Sequence, residues 1–266
     1  MTLPFLQGEI MIQTITSPDN SLVKHIKKLQ TKSYRTKTGE YLLEGYRLVH
    51  DAIENGVKLK NIIVADTFDA SEFLHLDLTV MPEKLFNQLK TTVNSQGIMA
   101  VATMNERTFN ENTVKDGNFF IYLDGIQDPG NLGTIVRIAD AGGVDGVMLS
   151  KTCVDIYNPK TIRSTMASMF NVPVYENCET DTLKMLKNNG FDLVAGSLEA
   201  KCSHYEVDYS NHIVVVIGNE ANGITDEVMS MCNVPVKIPI YGKAESLNAS
   251  VACGILVYEI LRQRGR

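Results

Sequence analysis

The sequence predicts an α/β protein with a small front domain and a larger parallel-sheet domain. Three observations carry that prediction. Short apolar runs alternate with segments of helical period along most of the chain. The later runs, among them FFIYLD from Phe119 and HIVVVIG from His212, are almost continuously apolar, as strands buried on both faces must be. A polar stretch with no apolar period, NERTFNENTVKDGN from Asn105, separates two such alternating regions. A chain of 266 residues suffices for two domains. The expected division is a tail at 1–20, a front domain at 21–104, a linker at 105–117 and the larger domain at 118–266.

In the front domain, SPDNSLVKHIKKLQTK reads as a cap and turn followed by a basic helix, with Leu22, Ile26 and Leu29 at helical spacing. EYLLEG is a strand, GYRLVHDAIENG a helix closed by Gly56, KNIIVAD a strand, LTVMPEKLFNQLK a strand joined to a helix at Pro82, and GIMAVATM a strand. In the larger domain the strands are FFIYLD, GVMLS, VPVY, FDLVAGS, HIVVVIG and VPVKIPI, with helices near 131–142, 158–170, 181–189, 223–231 and 247–262. This βα repetition gives a parallel sheet with helices on both faces, whose ligands bind beyond the carboxyl ends of the strands.

Composition excludes several classes. Apolar residues make up 44% and charged residues 21%, which are globular values. No apolar run approaches the ~18 residues of a membrane span, and the N-terminus lacks a secretory pattern. The cysteines, Cys153, Cys178, Cys202, Cys232 and Cys253, are scattered without a CxxC pair. They read as reduced thiols of a cytoplasmic protein, with neither a disulfide framework nor a metal site. The net charge of −6 argues against general adhesion to nucleic acid. The charge is uneven, however. Between Asn20 and Arg47 stand Lys24, Lys27, Lys28, Lys32, Arg35, Lys37 and Arg47 against only Glu40 and Glu44. Such a run is either a solvated face or a phosphate-binding one.

Three strand ends carry polar groups. DPGNLGTIVRIADAGG starts at Asp128: Pro129 and Gly130 make a turn, Asn131 begins a helix, and Arg137 follows among Ile135, Val136, Ile138 and Ala139. Six residues place Arg137 about 120° around the helix from Asn131. An arginine in apolar company can simply pair with an acid, here Asp140 or Glu220. The stretch fits neither GxGxxG nor GxxxxGK[ST], so the common phosphate cradles are absent. VVVIGNEANGI (Val214–Ile224) stops a buried strand at Gly218, where glycine lets a ligand approach the backbone, and places Glu220 just beyond, with Gly223 opening the next helix. IPIYGKAESLNASVACGILVYE ends a strand and opens a small-residue helix that Ser246 can cap. Taken alone, the second and third stretches read better as an ordinary turn and a capped core helix. Together they gather Asn, Arg, Glu and Ser without a nucleophile–base pair, which suits the orientation of polar oxygens and the handling of one proton rather than acyl chemistry.

In that order the three stretches resemble the SpoU (TrmH-type) branch of the SPOUT RNA methyltransferases, over about Phe119 to Arg266; SQGIMAVA from Ser95 resembles the end of the substrate-binding domain that precedes it in this family. The resemblance implies methyl transfer from S-adenosylmethionine to a ribose 2′-hydroxyl, a parallel sheet threaded as a trefoil knot, and a homodimer formed through the methyltransferase domain. It assigns cofactor contacts to Gly218, Ile238 and Leu247, with Ser197 and Leu198 after the preceding strand. It assigns catalysis to Arg137, with Asn131 placing Arg137 and the ribose, and Glu220, Ser246 and Asn248 completing the polar shell. Arginine is not an ordinary base, so Arg137 either acts with its proton displaced by burial and an RNA phosphate or stabilises the developing alkoxide. Asp128 stands where many relatives have Asn. The front domain resembles a small RNA-binding fold of ribosomal proteins, which makes Lys24, Lys27, Lys28, Lys32 and Arg35 phosphate contacts on structured RNA. Ribosomal RNA is the first expectation and tRNA the alternative. Two other classes stay open: a non-catalytic RNA-binding protein with the same fold, and a nucleotide-binding oxidoreductase, which the missing GxGxxG disfavours.

Overall fold

Residues 11–92 and 95–265 are described by the computed structural model, and the chain divides between Met104 and Asn105 into two units. The first ten residues of the expected tail lie outside the described residues.

In the front unit, β1 (Ile12–Thr14) leads to α1 (Ser21–Lys28). The Asn20 side chain accepts from the Leu22 amide at 2.8 Å and so starts the helix. After α2 (Lys32–Thr38) the chain reverses at Gly39, whose φ of 64° is the left-handed conformation glycine adopts at least cost. Then follow β2 (Glu40–Glu44), α3 (Tyr46–Glu54), β3 (Leu59–Ala65), β4 (Leu78–Met81), α4 (Glu83–Phe86) and β5 (Ile98–Thr103). The sheet order is β1-β4-β3-β5-β2, with β5 antiparallel to both its neighbours. Val23, Ile26 and Leu29 from the α1 region pack on Leu42, Ile63, Met99 and Val101. The expected tail at 1–20 is corrected in part: Ile12 to Thr14 pair with Leu78 to Val80 and extend the sheet by an edge strand. Three residues are too short a run to show a period of two, so the sequence pattern passed over them.

In the second unit the elements are α5 (Glu111–Asp116), β6 (Phe119–Asp124), α6 (Pro129–Ala141), β7 (Gly146–Leu149), α7 (Pro159–Thr165), β8 (Val174–Tyr175), α8 (Thr180–Asn188), β9 (Asp192–Gly196), β10 (Cys202–Ser203), β11 (Ile213–Gly218), α9 (Asp226–Met231), β12 (Val234–Lys237) and α10 (Ala249–Gln263). All pairs in the sheet, ordered β10-β12-β9-β11-β6-β7-β8, are parallel. Phe120, Tyr122, Leu193, Val214 and Val216 share a core with Val114 of α5, Leu183 and Leu186 of α8 and Val228 of α9. Alternation along the strands turns Ile121, Leu123, Val215 and Ile217 to the other face, where α10 packs on β11 and α6. Burial on both faces explains the continuous apolar runs.

The polar segment 105–117 is not a bare linker. Asn110 caps α5 through its side chain, Val114 is buried, and the Phe109 ring meets those of Phe120 and Tyr175 at 5.4 and 5.1 Å. Two apolar anchors in an otherwise polar stretch were too sparse to register as a period. The helix expected at 158–170 stops at Thr165, because Met166 and Ala167 both take positive φ, 50° and 74°. No helix among the described residues is long and apolar enough to cross a membrane.

Register positions the site. Gly218 pairs with Asp124 and Val236 with Gly196, so the carboxyl ends of β6, β11, β9 and β12 reach the same end of the sheet.

Candidate active site

Two long helices begin at that end. The Asp128 carboxylate accepts from the Asn131 amide at 2.9 Å and caps α6. Asn248 caps α10, its Oδ1 accepting from the amides of Ser250 at 2.9 Å and Val251 at 3.3 Å. Asn131, 8% exposed, joins the two. Its Nδ2 donates to Glu220 Oε1 at 2.9 Å, and its Oδ1 accepts from Asn248 Nδ2 at 2.8 Å. Glu220 also accepts from the backbone amides of Gln127 and Asp128, both at 3.2 Å. A carboxylate at the head of α6 complements the positive end of the helix dipole. Burial pushes the Glu220 carboxyl up, but the bonds from Asn131 and from the amides of Glu220, Gln127 and Asp128 outweigh it and hold it below the ordinary range. Glu220 is therefore an ionised acceptor at neutral pH, not a proton donor.

This network ties the three stretches into one site, and it corrects parts of the sequence reading. Asn248, not Ser246, caps α10, while Ser246 is exposed in the preceding loop and takes no part in the network. Gly223 does not open a helix. It sits at φ 71° and bridges back to Asn219, and Thr225 caps α9 instead. The reason for Gly218 also changes. A Cβ there would lie 2.1 Å from the Gly223 carbonyl carbon and 2.2 Å from the Ile224 nitrogen, so glycine is required by the protein's own returning backbone. Sequence cannot reveal that approach, because it depends on how the 219–223 turn folds back. Asn219 shapes that turn: its Oδ1 accepts from Ala221 and Asn222, and its Nδ2 donates to the Gly125 carbonyl at 2.7 Å. The sequence reading missed it, as it missed buried Asp124, which accepts from the Thr225 amide and hydroxyl at 2.7 and 2.8 Å. An Asn directly after a strand-ending glycine is the available signal for the first; nothing local marks the second.

Arg137 is exposed. The two expected acid partners are engaged elsewhere, Glu220 as above and Asp140 by Asn171 at 3.0 Å, and among the described residues Arg137 makes no ion pair. Gly133, Arg137 and Asp140 recur at helical spacing on the side of α6 turned to α7: a Cβ on Gly133 would meet Ser164 at 2.3 Å. Arg137 thus stands apart from the Asn131 network, with its guanidinium free.

The residues expected to touch the cofactor follow neighbouring strands. Ser197 follows β9, Gly218 ends β11, Ile238 follows β12 and Leu247 precedes α10. Leu198 and Leu247 are 60% and 37% exposed. Among the described residues no backbone hydrogen bond ties residues 238–247 to the rest of the unit. Unpaired backbone groups beside exposed leucines suit a nucleoside held by its polar edges with an apolar face against it, and the set contains no arginine or lysine of the kind that grips phosphates.

In the front unit, Lys24, Lys27, Lys28 and Lys32 are exposed, while Arg35 is buried and donates from its guanidinium to the Leu29 carbonyl at 2.9 Å. Arg35 is a structural residue that ties α2 to the end of α1, not a phosphate contact. Lys24 pairs with Asp19 at 3.0 Å. Glu40 and Glu44, the acids of this stretch, are buried. Glu40 meets His25 at 2.7 Å and also Lys60, and Glu44 accepts from Thr91 and Thr92. The exposed surface of the stretch is more basic than its composition.

Residues 118–258 match the model of the SpoU rRNA Methylase family, and residues 20–100 match the MRM3-like substrate binding domain. The chain belongs to the SpoU rRNA methylase family. It is 34% identical to the 23S rRNA (guanosine(2553)-2'-O)-methyltransferase RlmP of Bacillus subtilis, over 94% of this chain and 99% of that one. The AdoMet-bound rRNA methyltransferase of Sinorhizobium meliloti superposes with a TM-score of 0.85 at 29% identity, covering 94% of this chain and 98% of the other. The SpoU methyltransferase AviRb of Streptomyces viridochromogenes, in complex with AdoMet, superposes with a TM-score of 0.83 at 27% identity, covering 92% and 98%. In this SpoU chain the family match spans all three stretches, and the Glu220–Asn131–Asn248 network gives them a common physical purpose.

Proposed function

We propose that the second unit transfers a methyl group from S-adenosylmethionine to a ribose 2′-hydroxyl in structured RNA, ribosomal RNA first and tRNA as the alternative. The observation that carries this reading is the network of Glu220, Asn131 and Asn248 at the carboxyl ends of the strands. Ser197, Leu198, Gly218, Ile238 and Leu247 would hold the cofactor. Bound there, it supplies a strongly electrophilic methyl group. What remains is to aim a weak nucleophile and remove its proton.

Arg137 is the residue for that step. Among the described residues its guanidinium has no ion-pair partner, so it can bridge a phosphate and a ribose oxygen through its planar fork, and it holds negative charge at the oxygen as the proton passes to solvent at this exposed position. Asn131 and Glu220 fix the first turn of α6, the helix that carries Arg137. Asn248 fixes the head of α10 beside them. The exposed lysines of the front unit, Lys24, Lys27, Lys28 and Lys32, hold RNA by its phosphates.

The working form is a homodimer in the cytoplasm. Val251 and Tyr258, 50% and 54% exposed, lie seven residues apart and leave an apolar stripe on α10 that a second copy covers. Light scattering that returns a monomer at working concentration would remove this element. The activity itself is tested by mapping ribose methylation in RNA from cells with and without the protein, followed by transfer of labelled methyl to the affected RNA in vitro. Loss of one 2′-O-methyl mark that the purified protein restores is the expected result. RNA binding without any transfer would leave a non-catalytic member of the fold.

A further inference from the structure

Two tyrosines stand in solvent at the ligand end of the sheet. Tyr241 is 91% exposed and Tyr205 50% exposed. They follow β12 and β10, parallel neighbours in which Lys237 pairs with Ser203, and the Tyr205 side chain beside Tyr241 pushes its phenol up. An exposed ring loses the burial that normally justifies an aromatic. Two exposed rings following paired strands, at the strand ends that carry a site, call for a ligand with a flat face.

Tyr205 is held in place. The Ser203 amide donates to the Glu206 carboxylate at 2.7 Å and the Glu206 amide to the Ser203 carbonyl at 3.0 Å. The hydroxyl of buried Tyr209 donates to the His204 carbonyl at 2.6 Å, and the His204 ring meets the Tyr205 ring edge-on at 5.1 Å. Tyr241 instead rides on the loop 238–247, whose residues from 241 onward are exposed. A fixed ring beside an adaptable one can close on a planar group with little ordering cost on one side.

The surrounding charge decides what kind of group. Lys201 and Lys243 are exposed on these loops, but so are Glu199, Glu206 and Glu245. The balance does not make a track for phosphates. What the surface offers is π faces, and sequence-specific RNA recognition works mainly on unpaired bases stacked on aromatic rings.

We propose that Tyr205 and Tyr241 form a stacking platform for an unpaired base of the RNA substrate, next to the nucleotide whose ribose is methylated. This rests on the methyltransferase reading of the same strand ends. It adds that the substrate ribose lies in or beside a single-stranded loop, and that the platform, not the basic front unit, distinguishes loop from duplex.

The probe is an RNA hairpin with 2-aminopurine in its loop, compared with the same stem as a blunt duplex and titrated into the full-length protein with and without S-adenosylmethionine. Wild type should quench the fluorophore and prefer the hairpin. Tyr205→Ala and Tyr241→Ala should each lose the quench and weaken hairpin binding by about tenfold, the scale of one base stacked on an aromatic ring, with duplex binding unchanged. Tyr205→Phe and Tyr241→Phe keep the ring and should keep both. Hairpin affinity and quench untouched by the alanine variants would overturn the platform. So would a loss of S-adenosylmethionine affinity with hairpin binding intact, which would make the tyrosines part of the cofactor site. Calorimetry of wild type with S-adenosylmethionine decides the methyltransferase reading separately, since the quench does not require the cofactor.

Discussion

The side-chain amide of Asn248 donates to the side-chain carbonyl of Asn131 at 2.8 Å, across 117 positions of sequence. Each residue stands in the first turn, or at the cap, of one of the two longest helices described. The bond therefore locks the heads of α6 and α10 together, and Glu220 locks the same amide from the other side. Replacing Asn131 by Ala removes both bonds, but Glu220 keeps its two amide donors and both partners reach solvent, so the cost is about 0.5–1.5 kcal/mol per bond. Asn248→Ala loses a cap as well, worth about 1 kcal/mol. Because the two share one bond, the double variant should lose less stability than the sum of the singles. Urea unfolding of the four proteins measures this, and strict additivity would mean that the bond contributes nothing.

Among the described residues Arg137 has no competing ion pair to lose, so its replacement should leave stability nearly unchanged. Arg137→Ala and Arg137→Lys should both lower methyl transfer by about a hundredfold or more, the scale of a positioned proton-handling group. Lysine keeps the charge but not the fork. Single-turnover methylation at saturating cofactor and RNA is the measurement, with S-adenosylmethionine affinity expected to hold. Near-normal turnover by the alanine variant would leave Arg137 outside the chemistry.

Gly218→Ala is expected to damage structure before it damages binding. Its new methyl would overlap the backbone of Gly223 and Ile224, a strain of about 1–3 kcal/mol or more. The melting temperature and the affinity for S-adenosylmethionine should fall together. A variant with an unchanged melting temperature and no cofactor binding would show that the glycine serves the ligand directly.

In the front unit the lysines and Arg35 should separate cleanly. Charge reversal at Lys27, Lys28 and Lys32 should weaken RNA binding and flatten its salt dependence, by a slope of roughly 0.7–0.9 for each phosphate that is no longer neutralised. Arg35→Leu should lower thermal stability and leave the salt slope alone, since its guanidinium is buried against the Leu29 carbonyl. Binding isotherms across a salt series, with melting curves for each variant, check both halves.

Acid should weaken the C-terminal helix. Hydrogen bonds from Arg262, and then Gln263, outweigh burial and hold the Glu259 carboxyl down at about 2. A depressed folded-state pKa gives stability that is complete above the unfolded value, ~4.3, and is lost as pH falls from there toward the folded value. Arg262 is 67% exposed, so solvent screening keeps the contribution small. Glu259→Gln should make the loss of stability between about pH 5 and about pH 2 shallower. Chemical denaturation at several pH values measures the slope, and identical acid limbs would deny Glu259 this role.

Local chemistry determined much of this protein. Period and burial on both faces made FFIYLD and HIVVVIG strands of a parallel sheet, and the three polar stretches fell at the ends of strands because a parallel sheet has no other place for them. The order of those stretches was enough to mark the family. Tertiary structure decided what their residues do. That residue 218 must be glycine follows from a turn that folds back on it. Arg35 looked like a surface charge and is buried, because α2 turns its side chain toward the Leu29 carbonyl. Val114 and Phe109 anchor a stretch too polar to betray them. The union of Glu220, Asn131 and Asn248 lies furthest from the reach of sequence. A hydrogen bond acts over a few ångströms in space and leaves no periodic trace along the chain, so only the fold, by bringing two helix starts to one end of one sheet, can make those residues partners.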